Sequence, residues 1–160
     1  MGYLSRHKQE LPKAKVYYDG INTVHCPYFQ KDVTFNSDGF HHLRYNSIGS
    51  ERDKKAQLYK FALLKDVVAI IEASGTVQQY RKQLGAVGRK KGKSGLRDTN
   101  MMTYWAFEAI VGKNEPEFRR VKVIVRQIGN GEPHFWSVMS DTNLRRKSNY
   151  KLATDDVLDD

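Results

Sequence analysis

The sequence predicts an α+β fold in which N-terminal helices pack on one face of a roughly four-stranded antiparallel sheet. Residues 51–73 place apolar side chains at helical spacing, whereas residues 121–128 and 134–140 are patterned as strands. Gly129-Asn130-Gly131 separates those two strands and is a hairpin-turn signal. Because the helical segments come first and the strands follow through short turns, we expect an antiparallel sheet with helices on one side.

The first 40 residues carry weaker signals. Residues 1–14 are polar and include Pro12, so we predict a flexible arm there. Two short strands are predicted at residues 16–18 and 33–35, and each is followed by a turn signal. The second turn ends at Gly39, after which we expect a short helix that carries two histidines and an arginine.

A longer helix is predicted next in the chain. Ser50 is a suitable N-cap, and Glu51 and Asp53 match the positive end of the helix dipole. Ser74-Gly75 ends the helical pattern. The pattern fits either one helix or two helices with a break near Lys65-Asp66, and its apolar face is expected to lie in the core.

Residues 85–97 are glycine-rich and strongly basic, and they contain no acidic residue. Such a composition cannot build a core, so we predict a mobile loop that clamps a phosphate backbone. The alternative is a plain solvated linker before the aromatic strand predicted at residues 101–107. The candidate nucleic-acid-binding residues of this loop are Arg89, Lys90, Lys91, Lys93 and Arg97.

The net charge indicates a polyanionic partner. The 160-residue chain has a formal charge of +9, although four of its last six residues are aspartates. Basic surfaces attract nucleic acids largely independently of base sequence. We therefore predict a single nucleic-acid-associated domain over residues 15–152, followed by an acidic tail over residues 153–160 that docks on the basic surface.

The cellular location is inferred from cysteine usage and from hydropathy. The single cysteine, Cys26, cannot form an intramolecular disulfide, and we predict a buried thiol in a reducing compartment. Residues 1–15 lack the apolar segment of a signal peptide, and no apolar run approaches the roughly 20 residues of a membrane span. We expect a cytoplasmic protein without membrane association.

Metal and nucleotide sites fit the sequence poorly. The five histidines are not spaced as paired ligands on a helix, and the carboxylates are scattered. Gly88 and Gly92 precede Lys93-Ser94 as in a phosphate-binding loop, but they are one residue too close together. We therefore expect neither a metal nor a cofactor.

The residues fit metal-free cleavage of RNA better. RNA supplies its own nucleophile, the 2′-hydroxyl, so the protein needs proton carriers and a cation beside the phosphate. Histidine and arginine are the usual side chains for these two tasks. The candidate catalytic residues are His41, His42, Arg44, Arg126, His134 and Ser137, and the candidates for stacking a base are Tyr104 and Trp136.

Strand alternation gives these candidates a predicted arrangement. On the last strand, His134, Trp136 and Val138 are expected to share one face. Structural alternatives remain open, because His42 can simply pack the short helix and Trp136 can belong to the core. Arg126 can likewise lie on a solvated strand face.

Two segments resemble the phage-associated nuclease-like domains of the barnase–EndoU–colicin–RelE group. One is Phe35 to Arg44, which reads Phe-x-x-x-Gly-Phe-His-His-Leu-Arg, with the basic helix that ends at Leu63-Leu64-Lys65. The other is the hairpin from Val121 to Val138. The resemblance covers roughly residues 30–140 and implies a barnase/RelE-like fold, with metal-independent RNA cleavage in active members.

The resemblance also implies the position of the catalytic cleft. It places His41, His42 and Arg44 on one side of the cleft and Arg126 with Trp136-Ser137 on the other. No acidic residue is expected in the cleft, so proton transfer is assigned to histidine or tyrosine. Domains of this group occur as toxins, as toxin–antitoxin effectors and in mobile elements.

The leading hypothesis from the sequence is therefore a toxin-type endoribonuclease that leaves a 2′,3′-cyclic phosphate. Its expected partners are RNA and an acidic inhibitor protein. The alternative is a non-catalytic nucleic-acid-binding accessory protein of a phage or mobile element, which explains the charge equally well. A third hypothesis is an interaction protein whose basic surface meets an acidic partner.

Overall fold

The computed structural model describes residues 2–113 and 118–141. Its helices are α1 (Tyr3–Asp19), α2 (Ser37–Arg44) and α3 (Lys54–Ala73). Its strands are β1 (Thr23–Cys26), β2 (Lys31–Thr34), β3 (Gln79–Lys91), β4 (Leu96–Val111), β5 (Arg119–Ile128) and β6 (His134–Asp141). The strands form one sheet in the order β1-β2-β6-β5-β4-β3. The acidic tail predicted at residues 153–160 lies outside the described residues.

The predicted α+β class is confirmed, but the sheet has six strands and is mixed, not four-stranded and antiparallel. Strands β3 to β6 do form an antiparallel meander. The β1–β2 hairpin extends it, because β2 runs parallel to β6 with Thr34 opposite His134. Parallel pairing between segments so far apart in the chain leaves no local sequence signal, so the four-stranded prediction missed it.

Helix α1 occupies most of the segment predicted as a flexible arm and all of the short strand predicted at residues 16–18. One side of the helix packs against α3 and the core at a helical spacing. The residues on that side are His7, Leu11, Ala14 and Tyr18.

Two polar features hide this helix in the sequence. His7 is buried, and its Nε2 lies 2.8 Å from Oε1 of Gln57 on α3, so a polar residue occupies a core-facing position. Pro12 lies inside the helix on its exposed side. Proline costs a helix interior about 3 kcal/mol, and packing against α3 offsets that cost.

Helix α3 is one continuous helix that ends before Ser74, as one of the two predicted options requires. Its N-terminus lies three residues later than predicted. Asp53 is the N-cap, and its carboxylate accepts a hydrogen bond from the Ala56 amide at 2.7 Å. The preceding residues instead form a turn closed by an isolated bridge between Tyr45 and Glu51.

The main core lies between the helices and one face of the sheet. Val121, Val123 and Val125 of β5 point into it, as the alternation of that strand predicts. Leu64 and Val67 are among the α3 residues that pack on them in the same cluster. The second face carries a smaller apolar cluster of Met102, Tyr104, Ala106 and Ile124.

Close contact between α2 and β6 depends on Gly39. A Cβ atom added at Gly39 would lie 2.6 Å from the carbonyl oxygen of Phe135 and would collide with the Tyr18 hydroxyl. Tyr18 itself is buried, donates a hydrogen bond to the Asn36 carbonyl at 2.6 Å, and contacts the ring of Phe135. Only a residue without a side chain lets α2 approach this closely.

The predicted basic loop is instead the end of a long hairpin. Strands β3 and β4 remain paired out to Lys91 opposite Leu96, and a 3-10 turn over Gly92–Ser94 joins them. Gly88 and Gly95 have φ values of +75° and +67°, which accommodate a register shift and the turn. No described helix is both long enough and apolar enough to cross a membrane.

We predict that Gly39→Ala lowers the free energy of unfolding by about 1–3 kcal/mol, because the added methyl overpacks the contact of α2 with β6. Urea denaturation followed by circular dichroism measures this change. Gly75→Ala is the matched control, since nothing lies within 4 Å of its added Cβ. Equal stability of the two variants would contradict the close-contact explanation.

Candidate nucleic-acid cleavage site

A polar row crosses the second face of the sheet over four adjacent strands. Arg81 on β3 pairs with Tyr104 on β4, Tyr104 pairs with Arg126 on β5, and Arg126 pairs with His134 on β6. Residues directly opposite each other on neighbouring strands project from the same face. The sheet register thus brings together three residues that the sequence selected, and it adds Arg81.

A β-bulge places Trp136 beside this row. Val125 is opposite Phe135 and Ile124 is opposite Ser137, so Trp136 is an extra residue without a partner on β5. Val138 then pairs with Val123 and is buried in the main core. The prediction that Val138 shares a face with Trp136 is therefore wrong, because the bulge breaks the strand alternation.

Arg126 is the centre of the site. Its Nε donates to His134 Nε2 at 2.9 Å, and its guanidinium carbon lies 3.5 Å from the centroid of the Trp136 ring. It also hydrogen-bonds the Tyr104 side chain and lies 3.8 Å from the carboxylate of Asp38. Burial lowers the Arg126 pKa, and these partners compensate for the desolvation of the charge.

His134 holds Arg126 in place as a neutral imidazole. Burial, together with the positive charge of Arg126, lowers the pKa of His134 to about 4. Since Nε2 accepts from Arg126, the ring proton is on Nδ1, where the Glu132 carbonyl accepts it. Both ring nitrogens of this sequence-predicted catalytic residue are therefore engaged with protein groups.

The two adjacent histidines of α2 occupy different environments. His42 is 2% exposed, its ring stacks on Trp136 at 4.0 Å between centroids, and its carbonyl accepts from Arg52. His41 is exposed and stacks on Tyr45 at 4.4 Å. Of these two histidines, only His41 is exposed at the protein surface.

Asp38 is a site residue that sequence reasoning missed. It lies in the first turn of α2, and its side chain is 62% exposed beside Arg126. His41 follows it by three residues, which places both side chains on the same side of the helix. This helical spacing from His41 is the signal that could have identified Asp38.

The remaining catalytic candidates lie apart from Arg126. The Arg44 guanidinium is 3.7 Å from the Glu51 carboxylate, and its central carbon lies 5.5 Å from the centroid of the Tyr45 ring. Ser137 is fully buried, and Lys60 of α3 donates to its hydroxyl at 3.2 Å. Arg44 is therefore paired with Glu51 and Ser137 with Lys60, and the sequence motifs predicted neither contact.

Both predicted stacking residues contribute to the site in another way. The ring of His42 and the guanidinium of Arg126 both contact the ring of Trp136. Tyr104 is buried and hydrogen-bonds Arg126. The predicted nucleic-acid-binding cations lie elsewhere, exposed along the distal part of the β3–β4 hairpin, where Lys91 is 2.9 Å from Asp98. Within the described residues, no three His, Cys, Asp or Glu side chains are grouped so that they could hold a metal ion.

No family model, curated protein or solved structure matches the chain. The function of the protein is therefore inferred from the geometry of the site.

We predict that the wild-type protein loses more stability than His134→Gln when the pH falls from 6.5 to 4.5. Between the folded pKa of about 4 and the ordinary value near 6.5, the unfolded chain binds a proton that buried His134 does not. The free energy of unfolding should therefore decrease by about 1–3 kcal/mol more in the wild type.

Urea unfolding at several pH values measures this difference. His25→Gln, which replaces an exposed histidine on β1, serves as the control and should retain the wild-type pH dependence. Identical pH profiles for the wild type and His134→Gln would contradict the neutral, buried state of His134.

Proposed function

We propose that this protein is a metal-independent endoribonuclease that cleaves RNA by attack of the 2′-hydroxyl on the adjacent phosphate. The observation that carries the proposal is the approach of Asp38 to Arg126 where α2 meets the polar row, with exposed His41 on the same side of α2 as Asp38. Asp38 is 3.8 Å from Arg126 and one helical turn from His41. A carboxylate, an imidazole and a guanidinium are the groups that this reaction needs.

Each group has a defined role in the proposed reaction. Asp38 accepts the proton of the 2′-hydroxyl as the 2′-oxygen attacks phosphorus. Arg126, whose side chain is 9% exposed, stabilises the extra negative charge on the phosphorane through its positive charge, without transferring a proton. His41 donates a proton to the departing 5′-oxygen, so that the products are a 2′,3′-cyclic phosphate and a 5′-hydroxyl.

His41 is preferred over His42 as the proton donor because a donor has to reach the leaving group. His42 is buried under the protein surface with its ring against Trp136, and His41 is exposed. His42 and His134 instead position Trp136 and Arg126. Arg44 and Ser137 are assigned no direct role, since Arg44 pairs with Glu51 and Ser137 is fully buried.

The biological setting proposed from the sequence is that of a cytoplasmic toxin. A basic nuclease of this kind requires an inhibitor in the cell that produces it, and an acidic protein would match its charge of +9.

We predict that His41→Ala and Asp38→Asn each reduce cleavage of a labelled single-stranded RNA in excess EDTA by about 10²–10⁴-fold, the usual contribution of a positioned proton carrier. The two variants should differ in their rates on uridine 3′-(p-nitrophenyl phosphate), a substrate whose leaving group needs no proton. His41→Ala should recover most of its rate on that ester, whereas Asp38→Asn should not.

The matched control is His25→Ala. His25 is also an exposed histidine, with its Nδ1 3.4 Å from Asp32, but it lies on the opposite edge strand of the sheet from β3. Its variant should cleave at the wild-type rate. Equal rates for His41→Ala and the wild type would refute the assignment of His41, and absence of cleavage by the wild type would refute the ribonuclease.

A second candidate function is nucleic-acid binding without cleavage, as an accessory protein of a phage or mobile element. The exposed basic end of the β3–β4 hairpin favours it, because exposed cations attract phosphates without any help from Asp38 or His41. RNA that remains intact but shifts on a native gel would select this function. Loss of the shift after neutralisation of the hairpin cations would locate the binding surface.

A further inference from the structure

The distal part of the β3–β4 hairpin extends beyond the sheet. Strand β5 pairs with β4 only from Met102 onward, so beyond that point residues 84–87 and 91 pair only with residues 98–101 and 96 among the described strands. We refer to residues 84–101 as the ribbon. At about 3.3 Å per residue, the six β4 residues from Leu96 to Met101 reach roughly 20 Å from the body.

The chemistry of the ribbon is that of a phosphate-binding surface. Every residue from 88 to 101 is exposed. The ribbon contains five lysine and arginine residues and one acidic residue, Asp98. A two-stranded ribbon of this kind buries little surface, so its cations and backbone are accessible to a partner.

The ribbon lacks what recognition of unpaired bases requires. Proteins that bind single strands combine positive charge with aromatic side chains on which bases stack. Residues 84–101 contain no Phe, Trp, Tyr or His, and they include Gly85, Gly88, Gly92 and Gly95. Small residues and cations suit the close approach to a double helix, which is recognised through its phosphates and its shape.

We infer that the ribbon binds double-helical RNA, so that the substrate of this protein is a folded RNA in which a stem adjoins the cleaved strand. The choice of RNA over DNA rests on the proposed ribonuclease function. Binding of the stem by the ribbon would place a single-stranded flank near the polar row at the base of the same hairpin, where Arg81 and Tyr104 lie opposite each other.

Fluorescence anisotropy tests this inference with three labelled probes of one sequence: a 2′-O-methyl RNA duplex, its single strand, and the corresponding DNA duplex. The 2′-O-methyl group removes the nucleophile, so binding is measured without cleavage. We expect the RNA duplex to bind at least about tenfold tighter than the single strand at 0.15 M salt.

The ribbon variant replaces four cations with glutamine, namely Arg89, Lys90, Lys93 and Arg97. It should lose the duplex preference, and the slope of log K against log salt should fall by about one for each lost phosphate contact. The control makes the same change in charge on the exposed faces of α1 and α3, at Lys8, Lys13, Lys55 and Lys65. That control should keep the preference for the duplex.

Equal binding of the single strand and the RNA duplex, or tighter binding of the DNA duplex, would overturn the inference. An equal loss of affinity in both charge variants would overturn it as well, because the attraction would then be a property of the whole surface. A protein that prefers the RNA duplex but fails to cleave RNA would retain the duplex-binding role of the ribbon, and would lose the proposed ribonuclease function together with the folded substrate.

Discussion

The close packing of α2 against β6 at Gly39 is the constraint on which the rest of the site depends. At this point α2 approaches the Phe135 carbonyl and the Tyr18 hydroxyl more closely than any side chain would allow. Tyr18 comes from α1, Phe35 follows β2, and their rings meet Phe135 in one aromatic cluster. The same contact fixes the distance from the first turn of α2 to β5, and thereby sets Asp38 beside Arg126.

A buried guanidinium imposes the second condition. Removing a charge from water is costly unless hydrogen bonds and opposite charges replace the lost solvation. The bulge at Trp136 provides an aromatic face for Arg126, His134 provides an acceptor, and Asp38 provides the charge. Arg126 is consequently held in one orientation, which is the preorganisation that the proposed electrostatic catalysis requires.

The sheet has one part that helices cover and another part that lies exposed. Around β6 the polar groups of the strand are satisfied from α3, where Lys60 donates to the Val138 carbonyl at 2.9 Å and Tyr59 donates to Ser140 at 2.8 Å. Since β2 pairs with β6 only at Thr34 and His134 among the described residues, α3 covers the rest of that side of β6, which would otherwise be open to further pairing. The far end of β3 and β4 has no such cover, and there the sequence supplies glycine and positive charge.

The sequence by itself determined the elements whose signals are local. The period of residues 51–73 predicted α3, the Gly-Asn-Gly turn predicted the β5–β6 hairpin, and the alternation from Val121 to Ile128 predicted which side of β5 is buried. Only the tertiary structure decided the position of α1, the parallel pairing of β2 with β6, and the bulge at Trp136. These features depend on contacts between distant parts of the chain. For the same reason the sequence selected Arg126 and His41 but missed Asp38, whose place in the site follows from the packing of α2 on β6.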